Sequence, residues 1–198
     1  MSSPTAKNAE RWSRVPVLMA LIGWLVLAAT YFLYIPIFHS IWLFVWPLIG
    51  VGWLWAALWS WVAVMSYLSI RRYGRALAGL VIAVAFGAAL WTTDWPVFHV
   101  RSVLWLEHEA FAELAADYEK GKPLTVPAWM RYLAVDGDIQ AQKDGLYFPV
   151  FVDLWRAETG RGFAYVPVAR GREPVLQTAE GDLGSPTRHL GGGWWWVD

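Results

Sequence analysis

Cysteine is absent from the chain. Disulfides, zinc–thiolate sites, iron–sulfur clusters and thiol nucleophiles are excluded with it, so any folded part is held by packing alone. Charge is scarce as well. Asp, Glu, Lys and Arg make up 16% of the 198 residues, against roughly 25% in a soluble domain. The deficit is local: from Val15 to Ile70 none of the four occurs. That run far exceeds the roughly 20 apolar residues that cross a bilayer, and a soluble fold of this size has no interior large enough to hide it. The glycine patterns that cradle phosphates are missing too, since Gly191–Gly193 has neither a following Lys-Ser/Thr nor a following helix.

What remains is an asymmetric chain. Six bases (Lys7, Arg11, Arg14, Arg71, Arg72, Arg75) precede residue 76 against one acid, Glu10, whereas fifteen acids and ten bases follow from Asp94 onward. Short basic clusters at the front and a mildly acidic rear half are the pattern of cytoplasmic segments and an exported domain. A nucleic-acid binder would instead carry a basic face on its soluble part.

The charge clusters divide the chain into a cytoplasmic tail (1–14), a three-helix transmembrane region (15–93) and an extracytoplasmic α+β domain with an antiparallel sheet (94–198). The first span is expected over Val15–Tyr34, as an uncleaved signal anchor: its apolar stretch is too long for a signal peptide, and apolar sequence follows it. Pro36 and His39 mark an outer turn at Ile35–Ser40. The next uncharged stretch, Ile41–Ile70, has 30 residues. As one helix it would be about 45 Å long against a core of about 30 Å, so its ends are expected to leave the core. Arg71, Arg72 and Arg75 form a cationic turn on the cytoplasmic side, and the third span is Ala76–Thr93. Everything after Asp94 then lies outside. Abundant Trp and the excess of Arg over Lys point to a GC-rich bacterial genome, and with the spans the expected location is a bacterial plasma membrane.

Beyond the spans, Val100, Val103, Leu104, Phe111, Leu114, Ala115 and Tyr118 recur at helical spacing and predict an amphipathic helix over His99–Tyr118, stopped by Gly121 and Pro123. It either continues the third span or lies on the membrane surface. Asp136-Gly137-Asp138 and Lys143-Asp144-Gly145 read as turns. Leu146–Trp155 and Phe163–Val168 read as a hairpin about a turn at Ala157–Gly162, and Trp194–Val197 as a closing strand. Pro149 and Pro167 indicate edges or bulges.

No expected span contains Asp, Glu, Lys, Arg or His, the residues on which proton relays, ion-coupled transporters and voltage sensors depend. A transporter or channel working alone is therefore not expected. Trp53, Trp55 and Trp59 sit too deep for an interfacial belt and read as packing, with an aromatic pocket as the sharper alternative. Gly79, Ala83 and Gly87 form a small-residue stripe suited to close helix approach, within the chain or onto a membrane partner. Asp136-Gly137-Asp138 lacks the further oxygen ligands of a calcium loop. Arg188-His189 and Ser185 have no nucleophile motif beside them. One constellation carries chemistry: Pro36-Ile37-Phe38-His39 and Pro96-Val97-Phe98-His99 are near copies that the topology puts at one surface. His39 and His99 could ligate copper, zinc or haem iron, with His108, Glu107 or Glu109 as a third ligand. The plainer reading makes each an interfacial turn.

The function expected from these residues is an accessory or interaction subunit, more readily than an enzyme. It would act through its outer domain in the lipid bilayer, on a membrane-protein partner or another copy of itself. No cofactor is required. The alternatives are a membrane-bound metal or redox subunit using the outer histidines, and an immunity or sensor protein.

Overall fold

Pro36 shows how the apolar run is cut. The computed structural model describes residues 4–153, 158–167, 174–179 and 182–198. Helix α1 (Pro4–Phe32) leads into α2 (Tyr34–Ile41) through a bend at Leu33. Pro36 has no N–H to give Phe32, and its ring would strike that carbonyl four residues back. On either side of it the helical bonds persist: Leu33 N–H bonds Ala29 at 2.8 Å and Ile37 N–H bonds Leu33 at 3.0 Å. The turn expected at Ile35–Ser40 is therefore a kinked helix. The chain reverses later, where Trp42 takes a left-handed φ of 46° and Trp42–Phe44 forms a 3-10 turn.

Helix α3 (Val45–Ser69) has 25 residues, about 38 Å. The four residues Ile41–Phe44 are thus removed from the long run at its front. At its other end the Arg71 N–H bonds Leu68 and the Arg72 N–H bonds Tyr67, each at 2.9 Å, with Arg71 at φ 55°. This bond pair is a Schellman turn, which usually has Gly at the left-handed position. Arg there costs about 1–2 kcal/mol in backbone strain. Helix α4 (Tyr73–Thr92) follows. Three segments are long and apolar enough to cross a membrane: Val15–Phe32, Tyr34–Ser69 and Tyr73–Thr92, with mean hydropathies of 2.1, 1.8 and 1.7.

The chain divides into two compact units, Met1–Trp95 and Pro96–Asp198. In the first, α1 packs antiparallel along α3. A Cβ at Gly23 would lie 2.7 Å from the Trp55 ring and 3.1 Å from the Ala56 Cα, and one at Gly52 would lie 2.8 Å from Leu27. At these two glycines the helices leave no room for a side chain. Indole groups tie the pair together: Trp24 Nε1 donates to Ser60 Oγ and Trp53 Nε1 to the Tyr31 hydroxyl, both at 3.0 Å. Helix α4 rests on α3 and touches α1 little.

The second unit starts with two helices where one was expected. Helix α5 (Trp95–Leu106) and α6 (His108–Glu119) are separated by Glu107 at φ −107°, ψ 32°. Pro96 opens α5, because a proline in the first turn gives up no helical bond. The anticipated apolar face is present: Val100, Leu104, Phe111, Leu114 and Ala115 are buried.

Five antiparallel strands form the sheet, in the order β1 (Gln140–Ala141), β2 (Leu146–Asp153), β3 (Glu158–Tyr165), β7 (Trp194–Val197) and β6 (Pro186–Gly191). The anticipated hairpin is β2–β3, in which Phe148 faces Phe163. Residues 154–157 and 168 lie outside the described residues. Glu158–Gly162 is strand rather than turn. Gly162 is there for close approach, since a Cβ would run into the Phe148 carbonyl and the Tyr147 ring. Pro149 sits at a register shift, on a stretch of β2 beyond the reach of the two-residue β1. Trp194–Val197 is an interior strand, because β6 pairs with its outer side through a turn of three positive-φ glycines, Gly191–Gly193.

Period-two alternation gives the sheet two buried faces. On one, Phe111 of α6 meets Trp194, Phe148 and Phe163 at ring-centroid distances of 5.1, 6.2 and 6.4 Å. On the other, Tyr147, Ala164 and Val197 pack with Val166 and Leu176. Leu176 belongs to a second hairpin, β4 (Leu176–Ala179) and β5 (Asp182–Gly184). The Gln142 side chain holds β4 as a strand would, donating to the Gln177 carbonyl and accepting from its N–H, both at 2.7 Å.

Candidate functional site

Two surfaces stand out, one on each unit. In the first unit, α4 diverges from α1 and leaves a groove closed at the back by α3. Its wider part is a cavity of about 570 Å³ lined by Trp53, Trp61, Gly87 and Trp91 among others. Its narrower part is a cavity of about 270 Å³ reaching Tyr67, Arg75 and Gly79. Trp24, Ser60, Val64 and Ala83 line both. The stripe Gly79, Ala83 and Gly87 thus faces a groove toward α1 and α3 of the same chain. A Cβ at Gly79 would find its nearest neighbour, Val64 Cγ2, at 3.9 Å, which is ordinary contact. One at Gly87 would meet the Trp24 and Trp53 rings at 3.4 and 3.5 Å. Among the helical glycines of the described residues, Gly23, which sequence reasoning passed over, is the one whose Cβ would meet the backbone of a neighbouring helix. Its partner helix carried a signal in Gly52, Ala56 and Ser60 at four-residue spacing.

Of the deep tryptophans, Trp53 lines the groove and meets the Trp24 ring edge-on at 5.6 Å. Trp55 and Trp59 pair with each other at 6.0 Å.

On the second unit, α5 buries Val97, Val100 and Leu104 and turns the opposite sector outward. Phe98, Trp105 and Leu106 are 50%, 79% and 68% exposed, with Arg101 exposed among them. Phe98, Arg101 and Trp105 are spaced i, i+3, i+7 and so share one face.

The histidines lie on different elements. His39 is on α2 in the first unit, half-buried beside the Phe38 ring. His99 is on α5 in the second unit and 5% exposed. His108 opens α6 and is exposed with Glu107 and Glu109. Among the described residues no three His, Asp or Glu side chains come together to hold a metal ion. Asp136 and Gly137 form a turn with φ of 54° and 69°. Ser185 links β5 to β6, its N–H bonding the Asp198 carbonyl at 3.2 Å, and His189 on β6 stacks edge-on against Trp195 at 4.8 Å.

Two tyrosines of the second unit with raised pKa values fasten the sheet through their hydroxyls. Burial, together with the hydrogen bond and charge of Glu119, pushes Tyr165 up to about 12; its hydroxyl donates to that carboxylate at 2.6 Å. Burial and the charge of Asp144 raise Tyr118, whose hydroxyl donates to the Gln142 carbonyl. These bonds pin the end of α6 to the sheet and to the loop after β1.

The chain matches no protein-family model, no curated protein and no solved structure.

Proposed function

We propose that this chain is a multi-pass protein of a bacterial plasma membrane that serves as an accessory subunit and recognises a membrane-protein partner through the outward face of α5. Three helices of sufficient length and hydropathy support the membrane reading. Six bases against one acid before residue 76 support a cytoplasmic amino terminus. An odd number of crossings then puts the second unit outside.

The observation that carries the subunit reading is the exposure of Phe98, Trp105 and Leu106 around Arg101 on one helix face, in a unit where, among the described residues, only Trp129 and Tyr132 of the other aromatic residues are also exposed. Trp and Arg are the residues that dominate binding energy at protein interfaces. Helix α5 begins within three residues of the end of α4, so the chain enters this helix directly from the last apolar segment.

Topology is tested by fusing a periplasm-active reporter after Asp198: activity is expected, and activity only from a cytoplasm-active reporter would refute the orientation. Partner recognition is tested by isolating the full chain in mild detergent. A stoichiometric membrane protein is expected to accompany the wild type and to be lost from Trp105→Glu with the fold intact. Equal recovery with both chains would remove α5 as the recognition surface.

A further inference from the structure

We infer that the β4–β5 hairpin is a flap: it swings off the sheet about Ser185 while the five strands beneath it stay paired. The flap belongs to the second unit alone and stands whether or not the helices of the first unit cross a membrane.

The hairpin is fixed at one end and latched at the other. Strands β4 and β5 pair with each other and form a sheet of their own, outside the five-stranded ladder. A two-stranded hairpin of four and three residues has little stability by itself. At the β5 end, Ser185 and Asp198 exchange backbone N–H bonds of 3.2 and 3.4 Å, and the chain runs on into β6. This end is the hinge. On β4 the latch is the side chain of Gln142, with its two 2.7 Å bonds to the Gln177 backbone. The Gln142 backbone is itself held, its N–H by the Gly145 carbonyl and its carbonyl by the Tyr118 hydroxyl. The side-chain amide turns on its own χ angles, so the latch releases without moving the strands.

The hairpin buries little and covers something costly. Leu176 is fully buried and Thr178 nearly so, whereas Val175 and Leu183 are 40% and 72% exposed. Beneath lie Tyr147, Ala164 and Val197. The Tyr147 hydroxyl is shut away from water and has no hydrogen-bond partner among the described residues. Leaving a buried hydroxyl unbonded costs about as much as burying one leucine gains, so the closed flap is near balance, and opening hydrates the hydroxyl. The other face of the sheet has no such offset: there Phe111 packs among Trp194, Phe148 and Phe163. Two glycines define the closed seat. A Cβ at Gly145 would lie 3.2 Å from Leu176 Cδ2, and one at Gly184 would lie 2.8 Å from Val197 Cγ1. Opening therefore uncovers an apolar strip of Tyr147, Ala164, Val166 and Val197 without unfolding the unit.

The test uses the full chain in mild detergent. It has no cysteine, so a single introduced thiol reports access to one place. Ala164→Cys and Val197→Cys lie under the hairpin, and Val100→Cys lies on the inner face of α5; all three native residues are fully buried. Labelling by a maleimide, read by mass, is expected to be roughly tenfold faster at the first two than at the third, and to rise less steeply with urea, because local opening exposes less surface than unfolding. Gln142→Ala should speed the first two several-fold and leave the third unchanged. Tyr147→Phe should slow the first two several-fold, because opening no longer hydrates a hydroxyl. Near-ultraviolet circular dichroism checks the fold of each variant. Exchange of the Gln177 amide against the β3 amides makes the same comparison in the unaltered chain, with the Gln177 amide expected to be faster by roughly the same factor. Equal rates and urea slopes at the three thiols, or equal exchange of Gln177 and β3, would overturn the flap, since hairpin and sheet would then open as one. So would a Gln142→Ala effect of the same size at all three thiols, or a Tyr147→Phe chain whose hairpin opens as readily as the wild type's.

Discussion

Replacing Tyr147 by Phe should make the second unit more stable, although most tyrosine truncations in a core do the opposite. Tyr147 is fully buried on β2, between Ala164 and the Leu176 hairpin. Among the described residues its hydroxyl has no hydrogen-bond partner. A buried donor left unmade costs about 1–3 kcal/mol, while the ring keeps all its packing in the variant. The expected gain at neutral pH is therefore roughly 1–2 kcal/mol. A second signature follows from ionisation. Burial, and then the charge of Asp198, raise the folded-state pKa of Tyr147 well above the ordinary 10. Above pH 10 the unfolded chain loses this proton and the folded chain keeps it, so stability falls as pH rises. At pH 11 the loss through this one group is about 1.4 kcal/mol. Tyr118 and Tyr165 are present in both proteins, and their contributions cancel in the difference. Hydrogen exchange of the β2, β3 and β7 amides in the full chain, followed from pH 7 to 11, reads both effects as opening free energies. A variant less stable by about 1 kcal/mol at pH 7, or a gap that stays constant to pH 11, would refute the reasoning.

Three further substitutions, two of them with a control at another glycine, address packing. Phe111→Ala should cost the second unit about 3–5 kcal/mol, seen as faster proteolysis of the sheet, because Phe111 is 1% exposed against four aromatic rings. Gly23→Leu should loosen the α1–α3 pair by roughly 1–3 kcal/mol or more, measured by denaturant midpoint in detergent, while Leu at Gly50, which has open space, should leave that midpoint nearly unchanged. Gly162→Ala should destabilise the β2–β3 hairpin by about 1–3 kcal/mol, and Gly160→Ala, with nothing near its Cβ position, should not, as exchange of the hairpin amides would show.

Residue chemistry alone determined the apolar lengths, the basic turn at Arg71–Arg75, the apolar face over Val100–Ala115 and the pairing of β2 with β3. Each follows from local quantities: the transfer cost of a charge, the period of a helix or a strand, the turn residues between two runs. Proline was misread for the same reason. Pro36 and Pro96 carry one local meaning, a missing N–H, and the surrounding chain decides whether that ends a helix, bends it or begins it. Tertiary structure alone decided which small residues bring backbones together. Glycine offers the same bare surface at Gly23 as at Gly79, and only the neighbour differs: Ala56 backbone at one, an open groove at the other. It also placed Trp194–Val197 inside the sheet and laid Leu176 over Tyr147. Strand order and layer stacking are set by the fit between surfaces far apart in sequence, and no single segment contains that fit.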